Sequence, residues 1–401
     1  MKHSTHSAQI EELLTRGVEK IYPSRDFVHA LLTRGKKLTV YLGIDPTGPD
    51  LHLGHVIPLM KLRQFQNLVH KVILLIGDFT AMAGDPDKTE VRTQLTRAEI
   101  LNNCKSYKKQ ASAILKFSGA NAAEYRFNSK WLSKFSFADV IQLASKETVQ
   151  RMLERDLFEK RLQAERPLYI HEFLYPLMQG YDSVAMDVDG EVGGNDQTFN
   201  MLTGRDLMKK LKNKEKFVIA MKLLEDPTGK KMGKTEGNMI TLVDSPKEMF
   251  GKIMSWTDSM IAPALELLTE MPIDEIRSRE DNMKAGVLNP RDAKAELARM
   301  VVSFYHDEKK AAAAERDFVQ TFTKHEMPDD MPTVAVPHGP VDIADFLVRH
   351  NLAASKSEAR RLIEQGGVKR NQTKVTSWKN AIQLSTGDVV QVGKRKFVRI
   401  M

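Results

Sequence analysis

Hydrophobic positions near the start of the chain mark a short strand and then a helix. Lys37-Leu38-Thr39-Val40-Tyr41-Leu42-Gly43-Ile44 is rich in β-formers, and from Val56 to about Leu68 the apolar Val56, Leu59 and Leu62 fall on one helical face. Farther on, Tyr175, Gln179 and Asp182 recur at helical spacing, so one face presents a phenol, an amide and a carboxylate. Leu174, Leu177 and Met178 make that segment largely apolar, and polar groups embedded in it need partners; a polar stripe facing water is the alternative. Ser245-Pro246-Lys247-Glu248 has capping-box spacing with proline at the first helical position. Asn289-Pro290-Arg291-Asp292 restarts a helix by similar logic, and the pattern from Ala293 to Phe322, with Leu297, Met300, Val301 and Phe304, predicts packed helices. From Glu326 to Pro340 four prolines and a lack of periodicity predict a linker. Beyond it, Ile343 to Asn351 and Ser357 to Gln365 read as helices, the second ending at Gly366-Gly367, and Lys369 to Arg399 as short strands.

Between the first strand and helix, His52-Leu53-Gly54-His55 stands at the mouth of the helix. Free N–H groups and the positive end of the dipole favour phosphate there, imidazole can hydrogen-bond phosphoryl oxygens, and Gly54 leaves room for a flat base against the backbone. Two polar caps at a loop-helix junction are the plainer reading. Roughly 180 residues later comes Lys230-Lys231-Met232-Gly233-Lys234-Thr235-Glu236-Gly237-Asn238, a Gly-containing loop whose three lysines suit a phosphate clamp, where a solvated surface turn is the bland alternative. Gly193-Gly194-Asn195-Asp196-Gln197 follows an acidic turn and precedes another helical pattern.

The paired segments resemble the class I aminoacyl-tRNA synthetases, whose signatures are His-Ile-Gly-His and Lys-Met-Ser-Lys-Ser; here Leu53 replaces isoleucine, and Gly233 and Thr235 the two serines. With Tyr41, the Tyr175/Gln179/Asp182 face and Gly-Gly-x-Asp-Gln in the same order, the chain resembles bacterial tyrosyl-tRNA synthetases over essentially its whole length. The resemblance implies a doubly wound, parallel-sheet, Rossmann-like α/β catalytic domain over 1–244 and an α-helical, anticodon-side domain over 245–325. A linker over 326–340 and a small α+β RNA-binding module over 341–401 would complete the chain. It implies that Tyr41 and Asp182 bind the substrate phenol, that Asp85, Tyr175 and Gln179 bind its ammonium, and that Gln197 orients its carboxylate. Asp196 and Gly194 would hold the ribose, Thr47 and His52 the terminal phosphate, and Lys231, Lys234 and Thr235 would close over pyrophosphate. Asp45, Gly54 and His55 belong to the same nucleotide pocket.

Implied with these roles are L-tyrosine, ATP accompanied by Mg2+, tRNA(Tyr) and a homodimer, with no tightly bound cofactor and no metal held by the protein. The tyrosine carboxylate is ionised at neutral pH and attacks the α-phosphorus of ATP, so positioning and charge stabilisation suffice without a protein nucleophile or base. A tryptophanyl enzyme would have to offer an Asp182-type carboxylate to an indole, and the C-terminal module would be out of place. Two other rivals are a protein that keeps the fold and binds RNA without the activity, and a small-molecule adenylyltransferase. Intact Thr47, His52, Asp182, Gln197, Lys231 and Lys234 speak against the first, and the C-terminal module against the second.

Two departures from the family pattern stand out. Gly84-Asp85-Pro86-Asp87-Lys88-Thr89-Glu90-Val91-Arg92 is one residue short and lacks a glycine, which leaves Lys88 and Arg92 between a pyrophosphate role and a surface loop. Leu42 stands where some relatives carry a ribose-contacting cysteine, so one hydrogen bond to ATP is expected to be missing. The stretch from Arg151 through Arg155 to Lys160-Arg161 is a candidate for the acceptor stem, with a solvated or dimer-facing helix as an equal reading.

Composition narrows the setting. With 42% apolar residues in 401, the chain has enough for real cores in two or three domains, and its one cysteine, Cys104, excludes an intrachain disulfide. No apolar run approaches the roughly 18 residues of a membrane span, and the first thirty residues carry acidic side chains and no signal-like block, so a reducing cytoplasm is expected. The net charge of +8 is concentrated after Val341, where 12 lysines and arginines face 5 aspartates and glutamates. Arg360, Arg361, Lys369, Arg370 and Lys374 form a compact basic group there, and the segment resembles the RNA-binding module of ribosomal small-subunit protein four.

Overall fold

The computed structural model describes residues 2–85, 95–225, 239–322, 331–335, 339–371, 373–379, 381–393 and 396–401. They gather into two compact units, Met1–Ala312 and Ala313–Met401.

The first unit is organised by a six-stranded sheet of β1 (Val18–Tyr22), β2 (Thr39–Ile44), β3 (Lys71–Ile76), β4 (Glu124–Phe127), β5 (Gly190–Gly194) and β6 (Phe217–Met221), in the order β1-β6-β5-β2-β3-β4. All neighbours are parallel except β1, which joins the edge antiparallel to β6. The central strands read as apolar runs rather than alternations because helices cover both faces of a parallel sheet, and Val72 through Ile76 and Phe217 through Met221 are buried without a break. From β2 the chain winds outward one way to β3 and β4, and from β5 the other way to β6. The β2/β5 junction is therefore the topological switch point, where an open α/β sheet leaves a crevice at its carboxyl edge.

Three helices position the crevice. Leu53–Asn67 leaves the turn after β2 and buries Val56, Leu59, Leu62 and Phe65 against the sheet, beginning three residues before the expected start because His52 and His55 cap it. Ile170–Met186 carries the Tyr175/Gln179/Asp182 face, and Thr198–Lys212 follows β5 and packs beside it. The last two cross at glycine: a Cβ on Gly180 would lie 3.0 Å from the Gly204 backbone nitrogen, and one on Gly204 3.2 Å from the Gly180 Cα. Only hydrogen at both positions lets the backbones approach this closely.

The same unit contains the helices Pro246–Met254, Ile261–Leu268, Ile273–Lys284 and Pro290–Tyr305. The Ser245 box forms as expected, with Glu248 N–H donating to Ser245 Oγ at 3.3 Å and Ser245 N–H to the Glu248 carboxylate at 3.1 Å. Asn289 caps Pro290–Tyr305 through Arg291 N–H at 3.0 Å. The pattern over 293–322 is broken at His306 into Pro290–Tyr305 and Glu308–Phe322.

In the second unit the helices Ile343–Arg349 and Lys356–Glu364 pack on a sheet of β7 (Thr333–Val334), β8 (Val368–Arg370), β9 (Thr373–Lys374), β10 (Val389–Val392) and β11 (Lys396–Ile400), in the order β7-β11-β10-β8-β9. Part of the proline-rich stretch is thus a strand. Arg399 N–H donates to Pro332 O at 2.9 Å and Met401 N–H to Val334 O at 2.7 Å, a backbone pairing that side-chain periodicity does not encode.

Candidate active site

A cleft of about 1730 Å³ opens at the β2/β5 switch point. Its walls include Tyr41, Asp45, Thr47, His52, Gly54, His55, Asp85, Tyr175, Gln179, Asp182, Gly194, Asp196 and Gln197, so these thirteen sequence-selected residues meet in one place. Lys231, Lys234 and Thr235, with Lys88 and Arg92, lie outside the described residues. The described residues on either side of the lysine segment, Glu225 and Met239, line the cleft, and Leu53 N–H of the histidine turn donates to Ile240 O at 3.0 Å.

The mouth of the cleft is a helix start made of two imidazoles. Gly54 N–H donates to His52 Nδ1 at 3.1 Å, and His52 N–H donates to His55 Nδ1 at 3.2 Å, a capping box in which histidines replace the usual hydroxyl and carboxylate. Burial pushes His52 down to about 4, and burial together with neighbouring His52 pushes His55 well below its ordinary value, so both rings are neutral near pH 7. A neutral ring whose Nδ1 accepts must hold its proton on Nε2. Both residues therefore keep a neutral N–H donor beyond the cap, at the positive end of the helix. The preceding loop is fastened from outside: Asn103 donates to Pro46 O at 2.9 Å, Tyr107 Oη to Gly48 O at 2.6 Å, and Leu51 N–H to Gln110 Oε1 at 2.7 Å. These bonds fix where exposed Thr47 stands.

At the floor, Tyr41 is wholly buried and its hydroxyl meets Ser183 Oγ at 2.9 Å. Lys216, also wholly buried, donates to Ser183 Oγ at 2.9 Å and forms an ion pair with Glu191. Lysine has only protons to give, so Ser183 accepts from Lys216 and can donate to Tyr41 Oη, while the Tyr41 hydroxyl also hydrogen-bonds the Glu191 carboxylate. Burial, then the charges of Glu191 and Asp182, hold the Tyr41 phenol protonated well above its ordinary range. Asp182 accepts from Trp131 Nε1 at 2.7 Å and Asn128 Nδ2 at 3.2 Å; burial raises its carboxyl well above the usual range against those two bonds.

The floor connects to the mouth through hydrogen bonds. Asn128 donates to Thr80 Oγ1 at 3.0 Å, Thr80 donates to Asp45 Oδ1 at 2.7 Å, and Tyr175 Oη donates to Asp45 Oδ2 at 2.9 Å. Asp45 fits only because residue 77 is glycine, where a Cβ would fall 1.8 Å from its Oδ1. Asp85 accepts from Arg155 Nη2 at 2.6 Å and from Gln197 Nε2 at 2.7 Å.

Both regions of the chain match described families. Residues 33–323 match the model for tRNA synthetases class I (W and Y), and residues 323–400 the model for the tyrosine–tRNA ligase SYY-like C-terminal domain. The tyrosine–tRNA ligase of Moorella thermoacetica is 48% identical over 97% of this chain and 94% of its own length. The chain belongs to the class I tyrosyl-tRNA synthetases. A second ligase of the family, from Thermotoga maritima, is 46% identical over 97% of this chain and 96% of its own. Among solved structures, a C-terminally truncated mitochondrial tyrosyl-tRNA synthetase of Coccidioides posadasii superposes with a TM-score of 0.63 at 25% identity, covering 79% of this chain and 96% of that one.

Several residues of this tyrosyl-tRNA synthetase site escaped sequence reasoning: Asn128, Trp131, Ser183, Glu191 and Lys216. Ser183 adjoins Asp182 on its helix, and Lys216 is a charge directly before the apolar β6, an oddity that could have flagged it. The basic stretch 151–161 is only partly directed to solvent. Arg155 is buried against Asp85, Arg161 is buried in a bidentate pair with Glu172 at 2.6 and 2.9 Å, and half-buried Arg151 pairs with Glu154, which leaves Lys160 as the exposed basic residue of the stretch.

Proposed function

We propose that this chain is a tyrosine–tRNA ligase that activates L-tyrosine with ATP and transfers it to the 3′-terminal ribose of tRNA(Tyr). The observation that carries the reading is the cleft floor, where a buried phenol and a buried carboxylate converge at the end of a pocket whose mouth is a phosphate-favouring helix start. A phenolic substrate accepts from Tyr41 and donates to Asp182. Without its hydroxyl these two bonds would be lost from a water-excluded floor, the principle of selection for which tyrosyl-tRNA synthetases are the standing example.

In the activation step one oxygen of the tyrosine carboxylate bonds to the α-phosphorus of ATP and the pyrophosphate oxygen leaves with its bonding pair. Thr47, His52 and His55 stabilise charge gathering on the departing phosphates, with Asp45 and Gly54 shaping the nucleotide pocket. Asp196 and Gly194 hold the ribose, Gln197 reaches the carboxylate, and Asp85, Tyr175 and Gln179 receive the ammonium. Lys231, Lys234 and Thr235 belong to pyrophosphate by sequence. Mg2+ enters with ATP, on phosphates and water.

In the remaining organisation the helices after 244, packed within the first unit, face the anticodon, and the C-terminal module, which includes the strand Thr333–Val334, lies on tRNA. Lys369 and Lys374 stand directly opposite one another on β8 and β9, an unfavourable like-charge pair that a phosphate backbone would relieve. Arg360 and Arg361 are exposed on the adjacent helix, whereas Arg370 is partly neutralised by Asp388 at 2.7 Å. The protein works as a cytoplasmic homodimer. Phe137, Ile141, Val149, Leu162 and Ile170 all expose more than half of their surface, a concentration of apolar side chains within 137–170 that suits a second copy. Among the described residues no helix is long and apolar enough to cross a membrane.

Charging of tRNA(Tyr) with labelled tyrosine tests the proposal. Attachment of tyrosine, and not of phenylalanine or tryptophan, is expected; binding of the tRNA without attachment of any amino acid would replace it with the RNA-binding reading.

A further inference from the structure

Arg155 stands just before the helix Asp156–Gln163, and its guanidinium lies in the cleft wall, 7% exposed. One nitrogen, Nη2, is committed to Asp85, and the Cζ lies 5.5 Å over the Phe158 ring. The other, Nη1, is buried with no hydrogen-bond partner among the described residues. On the helix opposite, Gln179 Oε1 is buried and equally without a partner. A buried donor and a buried acceptor left open in one cleft ask for a ligand carrying both functions.

The neighbouring amide is half committed, with one N–H and one lone pair left. Gln197, the residue assigned to the substrate carboxylate by resemblance, donates through Nε2 to Asp85 and accepts through Oε1 from Asn200 at 2.9 Å. The Arg155–Asp85 pair sets a cation beside an anion at 2.6 Å, matching the ammonium and carboxylate that an α-amino acid carries on a single carbon.

We infer that Arg155 is a substrate-binding residue that takes one oxygen of the tyrosine α-carboxylate on Nη1, while the ammonium goes to Gln179 Oε1 and Asp85. This rests on the tyrosine-activating reading. The second carboxylate oxygen stays free for the α-phosphorus, so the bond made and the bond broken are unchanged. Arg155 supplies orientation, and its planar fork holds Asp85 and substrate together in a way a lysine cannot.

The test compares binding of tyrosine with binding of tyramine, which keeps the phenol and ammonium and lacks the carboxylate, by calorimetry on the full chain. Arg155→Gln is expected to weaken tyrosine at least about tenfold and tyramine by less than about threefold, the separation that loss of one charge-assisted hydrogen bond predicts. Equal losses for both ligands would reduce Arg155 to a support for Asp85 and overturn the inference, as would no loss for either. Arg155→Lys keeps the buried charge, so it carries the same comparison should the glutamine variant fail to fold, with a smaller loss confined to tyrosine. Failure of the unaltered protein to bind either ligand would instead sink the tyrosine reading itself.

Discussion

At His52 the controlling variable is a proton. Its ordinary value of 6.5 falls to about 4 in the fold, so between those values the unfolded chain binds more protons than the folded one, and stability rises with pH across that window. This contribution is whole above about 6.5 and is lost as the pH falls toward about 4. The thermal midpoint should drop between pH 7 and pH 5, and drop less in His52→Gln. Because that glutamine still offers an N–H, His52→Ala should be the slower variant in adenylation, by on the order of 10²-fold for a donor aimed at growing negative charge. Lys216 makes a separate case. Lys216→Met strands the Glu191 carboxylate in the core and should cost about 3–5 kcal/mol, read by denaturant unfolding, because breaking one half of a buried pair is dearer than the pair is worth.

Elements decide which of these residues could be found by reading the chain. Tyr175, Gln179 and Asp182 share one helix face and His52 and His55 one turn, so their grouping is written in a local period. Ser183, Lys216, Trp131, Asn128 and Arg155 join the site through hydrogen bonds between elements far apart in sequence, and no period connects them. The helix crossing at Gly180 and Gly204 belongs to the same hidden layer. A methyl on Gly204 would lie 2.7 Å from Lys216 Nζ and 3.0 Å from Ser183 Oγ, so Gly204→Ala should destabilise by about 1–3 kcal/mol and weaken tyrosine binding by displacing the floor. In the second unit the helices at 343 and 356 were legible from their apolar spacing and the added strand at Thr333 was not. Replacing Lys369 and Lys374 with alanine should lower tRNA affinity and reduce its salt slope by about one for each phosphate that is no longer neutralised, measured by titration at several salt concentrations.

For the whole molecule, the outward apolar side chains of the helix Phe137–Ala144 are the feature a lone copy leaves unexplained. Phe137 and Ile141 are one turn apart and 80% and 56% exposed, so Phe137→Asp with Ile141→Asp should shift sedimentation from dimer to monomer if a second copy covers them. The double winding of the sheet sets the crevice, with the histidine turn and the phenol-carboxylate floor at its two depths. The central claim is that this arrangement makes tyrosyl-adenylate, and exchange of labelled pyrophosphate into ATP without tRNA, run in parallel with tyrosine, phenylalanine and tryptophan, tests it most directly. Exchange with tyrosine alone, lost in Asp182→Ala, is the result expected; exchange driven by tryptophan, or none with any of the three, would contradict it.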